Sequence, residues 1–258
     1  MLARRFEREL LRRGVRLPEP PLESIDGVVI ARLPAPVQRY LGFMGVVGRP
    51  RDVSLRASFS ARFRLAPGEW LPCEVEQYDA RAPVTRLFMM QLKLKRIVPV
   101  TVRDEYLRGR GRLEAKAFDV LRVAEGHGYE LDVGELVTYL NDAILMAPSL
   151  LLGPETTWLE AGANSFDVAL TDGASTVKAK VLLDARGAPT NFITQDRFFD
   201  GTNGRWVRTE WQTPVAGWQQ AAGRMLPTRA QAVWQLPTGP FPYADFGFDP
   251  ARIVFNVI

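Results

Sequence analysis

Residues 53–65 alternate apolar and polar side chains without a break. Val53, Leu55, Ala57, Phe59, Ala61, Phe63 and Leu65 fall on one side, and Ser54, Arg56, Ser58, Ser60, Arg62 and Arg64 on the other. Successive side chains of a β-strand point to opposite faces, so this period of two predicts a long strand with one buried face. A strand with one wet face belongs to an antiparallel sheet, because the crossovers of a parallel sheet cover both of its faces. The strand therefore demands antiparallel neighbours and something apolar to cover its inner side.

Both demands find candidates along the chain. Pro67-Gly68 turns the strand into residues 69–78, and residues 84–95 follow with Phe88, Met90, Leu92 and Leu94 on one face and Lys93 and Lys95 on the other. Residues 100–107 and 112–118 flank Gly109-Arg110-Gly111, which reads as a hairpin connection rather than a phosphate loop, since both Walker and dinucleotide spacings are absent. Leu136, Tyr139, Leu140, Ala143, Ile144 and Ala147 then form one helical stripe over residues 133–147. Asp132 is placed to cap that helix, Glu135 to complete a capping box, and Pro148 to stop it. A second meander follows: 166–170, 177–183, 190–198, 205–213, 224–236 and 252–257. The expected fold is mainly β (α+β), a strongly curved antiparallel sheet or half-barrel of about 10–12 strands. Helix 133–147 packs in its concave face. Short helices are expected at 3–13 and 33–41, with Pro18, Pro20 and Pro21 marking a linker. Residues 1–32 are read as an N-terminal helix and linker, and 33–258 as one curved-sheet domain.

Composition narrows function mainly by exclusion. The 258 residues carry a formal net charge of +4, and the basic residues are spread rather than clustered, so no nucleic-acid partner is expected. The single cysteine, Cys73, is in phase with Leu71 and Val75 and reads as a core thiol. The single histidine, His127, sits between glycines and reads as a loop residue. No Gly-x-Ser-x-Gly elbow accompanies it, so no catalytic triad, metal site or cofactor is expected. Asp104 and Glu105 point to opposite faces of one strand. Glu135 and Asp142 lie two turns apart on the helix; that separation can serve a glycosidase, but capping and solvation account for them more simply. No stretch has the length of a signal-peptide core or a membrane span, so the chain reads as cytoplasmic. Residues 3–13 set Phe6 and Leu10 among arginines, which permits peripheral membrane contact as well as an ordinary surface helix.

Aromatic residues are more suggestive than ionisable ones. Phe59, Phe63, Phe88, Met90, Tyr139, Ile144, Trp158, Trp211 and Trp234 are the candidates for an apolar cavity between sheet and helix, and a filled core is the competing account of the same residues. The leading expectation is a non-enzymatic binding protein for a lipid-like or other apolar small molecule. One rival is an enzyme using carboxylate, Arg or Tyr groups such as Arg103 and Glu105, or Arg208 and Glu210, in a polar cleft. The other is a membrane-surface or protein interaction module. The oligomeric state is not read from the sequence.

Several phrases, taken in order, carry a resemblance: Leu33-Pro-Ala-Pro-Val-Gln-Arg-Tyr-Leu41, Gly111-Arg-Leu-Glu-Ala-Lys116, Glu130-Leu-Asp-Val-Gly-Glu-Leu-Val-Thr-Tyr-Leu140, Ala147-Pro-Ser-Leu-Leu-Leu152 before Trp158, and Leu226-Pro-Thr-Arg229 before Trp234. In that set the chain resembles DUF6544 (formerly DUF6920), a bacterial family of uncharacterised function. The order of meander, helix and second meander is similar to lipoprotein carriers of the LolA/LppX type, in which a curved sheet wraps a helical plug. The analogy implies an architecture that can hold acyl chains. Exported carriers also have a leader and a lipobox cysteine, which this sequence does not show, so lipoprotein transport is not part of the expectation.

Overall fold

The computed structural model describes residues 2–16, 24–64, 66–95, 97–200 and 204–257. Leu65 and the prolines of the expected linker lie outside the described residues. The first meander comprises β1 (Ser54–Phe63), β2 (Leu71–Ala80), β3 (Thr85–Leu94), β4 (Val98–Leu107), β5 (Arg110–Ala117) and β6 (Leu121–His127). The second comprises β7 (Thr156–Gly162), β8 (Ser165–Asp172), β9 (Ser175–Leu183), β10 (Pro189–Thr194), β13 (Trp211–Ala221), β14 (Arg224–Leu236) and β15 (Gly239–Gly247). A short ribbon, β11 (Phe198–Asp200) with β12 (Trp206–Arg208), interrupts it, and β16 (Ile253–Phe255) ends the chain beside β1. All described strand pairings are antiparallel; fourteen strands make one sheet, and β11 with β12 makes a separate two-stranded one.

The two meanders join where β15 pairs with β1, setting Phe63 opposite Ala244 and Ser60 opposite Gly247. This leaves β6 and β7 as opposite edges of the sheet, and the segment between them is the long helix α4 (Tyr129–Met146). Thirteen strands side by side would span roughly 58 Å if flat, at about 4.8 Å per strand. An eighteen-residue helix is only about 27 Å long. Yet α4 touches β2 to β6 from one half and β9, β10 and β14 from the other. The sheet must therefore curl around it. The sheet has more strands than alternation predicts, because three do not alternate cleanly. β6 and β7 are largely exposed, and β15 carries Pro240 and Pro242 at its start, which argue against a strand in sequence. The expected loop histidine, His127, instead ends β6 opposite Arg112.

Helix α4 begins four residues earlier than its apolar stripe suggests, and its cap is not the expected one. Gly128, at φ +115, precedes the first turn, and its carbonyl accepts from the amides of Leu131 and Asp132. Asp132 reaches outward instead, accepting from the Gly111 amide at 2.7 Å and from Arg110 at 3.0 Å. Gly111 is required there: a Cβ at that position would stand 2.1 Å from the Leu131 carbonyl oxygen. The glycine lets the first turn of α4 rest on the backbone of β5. Because the sheet wraps the helix, fifteen of its eighteen residues are buried, so the expected solvent face does not exist.

The described residues also include three shorter α-helices, α1 (Leu2–Arg12), α2 (Gly27–Ile30) and α3 (Ala35–Phe43), and two single-turn 3-10 helices at Pro148–Leu151 and Pro250–Arg252. In α3, Val37, Tyr40 and Leu41 are buried as their spacing predicts, and the Tyr40 hydroxyl donates to the Ile144 carbonyl of α4 at 2.7 Å. In α1, Phe6 and Leu10 pack on the outer face of β2 and β3 against Tyr78, Leu87 and Met89. Arg13, just beyond it, pairs with Glu105 at 2.8 Å, and Arg5 pairs with Asp119. The apolar edge proposed for peripheral membrane contact is therefore covered by the sheet. No helix among the described residues is long and apolar enough to cross a membrane.

Candidate functional site

The period of two that makes the strands also sets what faces α4. On β2 the inward positions are Cys73, Val75, Gln77 and Asp79; on β3 they are Leu92, Met90, Phe88 and Arg86; on β4 they are Val100, Val102, Asp104 and Tyr106. The register places Gln77 opposite Phe88 and Asp79 opposite Arg86, then Phe88 opposite Asp104 and Arg86 opposite Tyr106. All three strands are thus apolar at one end of their inner face and charged at the other. Alternation predicts which face these residues occupy. A charged residue on a buried face then needs a partner from elsewhere, because leaving an ion unpaired in an apolar interior is costly.

The partner is α4. Arg86 donates to Asp142 Oδ2 through Nε at 2.8 Å and to Glu135 Oε2 at 2.9 Å. Glu135 and Asp142 therefore do not form a cap and a solvated surface residue. Arg86, a residue only 4% exposed, ties both to β3. Gln77 donates to both Asp142 (2.8 Å) and Asp79 (2.7 Å), bridging two acids. Burial pushes the Asp79 carboxyl well above the usual range, and the charge of Asp142 adds to it. Burial likewise raises Asp142, against the opposing pull of Arg86. Burial alone would lower the pKa of Arg86, but the surrounding acids outweigh it and hold the group firmly charged.

Beside this network lies a cavity of about 100 Å³, bounded by β1 to β4, the polar side of α4 and the strands of the second meander. Part of its lining is aromatic: Phe59, Phe63, Phe88, Trp211, Phe246 and Phe248. Interleaved with these are Arg86, Asp104, Glu135, Asn141, Asp142 and Arg197. Ala230 and Ala232 on β14 leave the space open. Arg197, from the segment after β10, stacks over Trp211 at 4.5 Å and Trp234 at 5.5 Å. Burial, with the charge of Glu135, pushes the Asp104 carboxyl up to about 7. Asp104 Oδ1, Asn141 Oδ1, Thr213 Oγ1 and Arg197 Nε are buried without a hydrogen-bond partner among the described residues, and all four residues line this cavity. Buried polar groups are nearly always paired with protein, water or ligand.

Of the nine aromatic and aliphatic candidates, the structure brings Phe59, Phe63, Phe88 and Trp211 to this cavity. Met90 is one inward position along β3, in the same core. Trp234 packs on Tyr243, whose hydroxyl accepts from Trp211 Nε1 at 3.2 Å. Tyr139, Ile144 and Trp158 lie elsewhere: Ile144 meets α3, and Trp158 packs on Tyr40 and Phe166. The polar pairs proposed for a cleft do not share one. Arg103 pairs with Glu114 and Glu105 with Arg13, both on the outer face, while Arg208 pairs with Asp196 and Glu210 accepts from Gln195 and Gln212. Cys73 is buried, its thiol pushed up to about 12 by burial and by neighbouring Glu74. Among the described residues no group of three or more His, Cys, Asp or Glu is placed to hold a metal ion.

A LolA superfamily protein from Nitrosomonas europaea is similar in structure, with 13% identity, a TM-score of 0.43, and coverage of 86% of this chain and 94% of that one. A TM-score of that size leaves much of the two traces different, and the sheet described above rests on its own pairings. A comparison with curated proteins finds no match. Residues 23–246 match DUF6544, a family of unknown function, and the chain belongs to that family.

Proposed function

We propose that the protein is a binding protein whose ligand occupies the cavity between the concave face of the sheet and α4. The observation that carries the reading is the mixed lining: aromatic rings beside charged and polar side chains, four of whose buried atoms lack partners among the described residues. Ligand sites combine these features, a mostly apolar enclosure with a few placed polar groups. The occupant is a small amphipathic molecule. About 100 Å³ is below the roughly 300–1,000 Å³ of common ligand pockets, and below the roughly 150 Å³ that accommodates benzene in an engineered cavity. A long acyl chain fits this volume only if α4 shifts outward.

The test uses ethanol, which is small enough for this volume, apolar at one end and polar at the other. Saturation-transfer NMR is expected to show binding to the wild type, accompanied by a change in tryptophan emission from Trp211. Ala232→Phe fills the cavity from β14 and is expected to abolish both signals. Equal binding to the wild type and a folded Ala232→Phe variant, or no binding to either, would refute the reading.

A further inference from the structure

The chemistry of the charged lining narrows the ligand class, and this step rests on the cavity being the binding site. Arg86 is already committed to Glu135 and Asp142 by two short hydrogen bonds. Asp104, by contrast, has no ion pair among the described residues, and its Oδ1 is buried and unbonded. Two further buried oxygens without a partner among the described residues belong to side chains that line the same cavity: Asn141 Oδ1, whose side-chain amide leans toward Asp142, and Thr213 Oγ1. The remaining unpartnered polar atom on the cavity wall, Arg197 Nε, belongs to a guanidinium held against two indole rings. The lining therefore holds three unpartnered oxygens able to accept, while its free donors are the Arg197 guanidinium and the Thr213 hydroxyl. Its carboxylates Asp104, Glu135 and Asp142 outnumber its arginines.

We infer that the cavity binds a small organic cation, a primary ammonium carried on a short apolar chain. The ammonium has three donors and no acceptor, which suits a lining that holds three unpartnered oxygens. Its charge answers the unpaired Asp104 carboxylate in a place where such a hydrogen bond is strong. The chain lies against Phe59, Phe88 and Phe246, whose ring faces also attract a cation. A carboxylate or phosphate would face three acids and find only Arg197 free of an ion pair. A neutral alcohol brings one donor and leaves two oxygens unpaired.

The test compares ethylamine, ethanol and acetate at pH 8 on the full chain, by competition NMR. The inference predicts ethylamine at least tenfold tighter than ethanol, and acetate the weakest. Asp104→Asn is expected to bring the ethylamine-to-ethanol ratio within about twofold of one, and Asn141→Leu to lower it in a second, independent variant, each with a wild-type circular dichroism spectrum. If ethanol binds and ethylamine binds no better, the cation assignment fails while the cavity reading stands. An undiminished preference in folded Asp104→Asn also overturns the assignment. If neither probe binds, the cavity reading itself has failed.

Discussion

Replacing Arg86 by Met should be the most damaging single change on the inner face of the sheet. The substitution keeps most of the side-chain bulk and removes two charge-assisted hydrogen bonds, to Asp142 at 2.8 Å and Glu135 at 2.9 Å. Hydrogen bonds to charged groups contribute about 1.5–3 kcal/mol each, which gives roughly 3–6 kcal/mol for the pair. Breaking a buried ion pair from one side gives a similar figure, about 3–5 kcal/mol, because the surviving charges stay buried. We therefore expect a loss of about 4 kcal/mol, a large part of the roughly 5–15 kcal/mol that holds an ordinary domain folded. The assay is urea unfolding at pH 8, followed by far-ultraviolet circular dichroism. The orphaned acids bind protons more tightly in the folded variant than in the unfolded chain. Its deficit should therefore be largest at pH 8 and shrink as the pH falls toward 5. Adding Glu135→Gln and Asp142→Asn to Arg86→Met removes the stranded charges and should restore at least half of the loss. A single variant that loses less than about 1 kcal/mol, with no dependence on pH, would refute the account of the network, since that is the scale of an exposed pair.

Three further outcomes follow from the same geometry. Asp104 has a folded pKa of about 7, raised above the unfolded value near 3.9, so its ionisation opposes folding. That opposition is complete above pH 7 and vanishes as the pH falls toward 4. At about 1.36 kcal/mol per unit, Asp104→Asn should gain up to about 4 kcal/mol relative to wild type between pH 4 and pH 8 in denaturation experiments; a pH-independent difference would contradict this. Gly111→Ala places a Cβ against the Leu131 carbonyl and should cost about 3 kcal/mol or displace the first turn of α4, visible as faster amide exchange at residues 129–132. Cys73, buried and with its thiol held at about 12, should resist a thiol reagent in the native protein and react on unfolding; rapid labelling of the folded chain would count against its placement.

Much of this was legible in the sequence. The alternation in β1 gives the antiparallel sheet, and the stripe on α4 gives a helix lying across it. The charged half of the site was also within reach. Extending the inward series Leu92, Met90, Phe88 by one step reaches Arg86, and the same count on the neighbouring strands reaches Gln77, Asp79 and Asp104. Those positions drop out when only apolar residues are followed. Other parts carry no local signal. Helix amphipathicity presumes one wet side, so Glu135 and Asp142 look solvated until a sheet that wraps the helix removes that side. The pairing of β15 with β1 depends on contacts nearly two hundred residues apart, and the prolines of β15 argue locally against it. Arg197 reaches the cavity from an irregular segment, where no periodicity points anywhere.

The central claim is that the space between the sheet and α4 is a ligand site lined by both aromatic and charged side chains. It is tested most directly by a crystal structure of the protein soaked in ethanol. The account predicts continuous density for the alcohol in the cavity, its carbons against Phe59 and Phe88 and its hydroxyl toward Asp104. Density for water alone in the cavity, or side chains closing it while ethanol sits only on the outer surface, would contradict the claim.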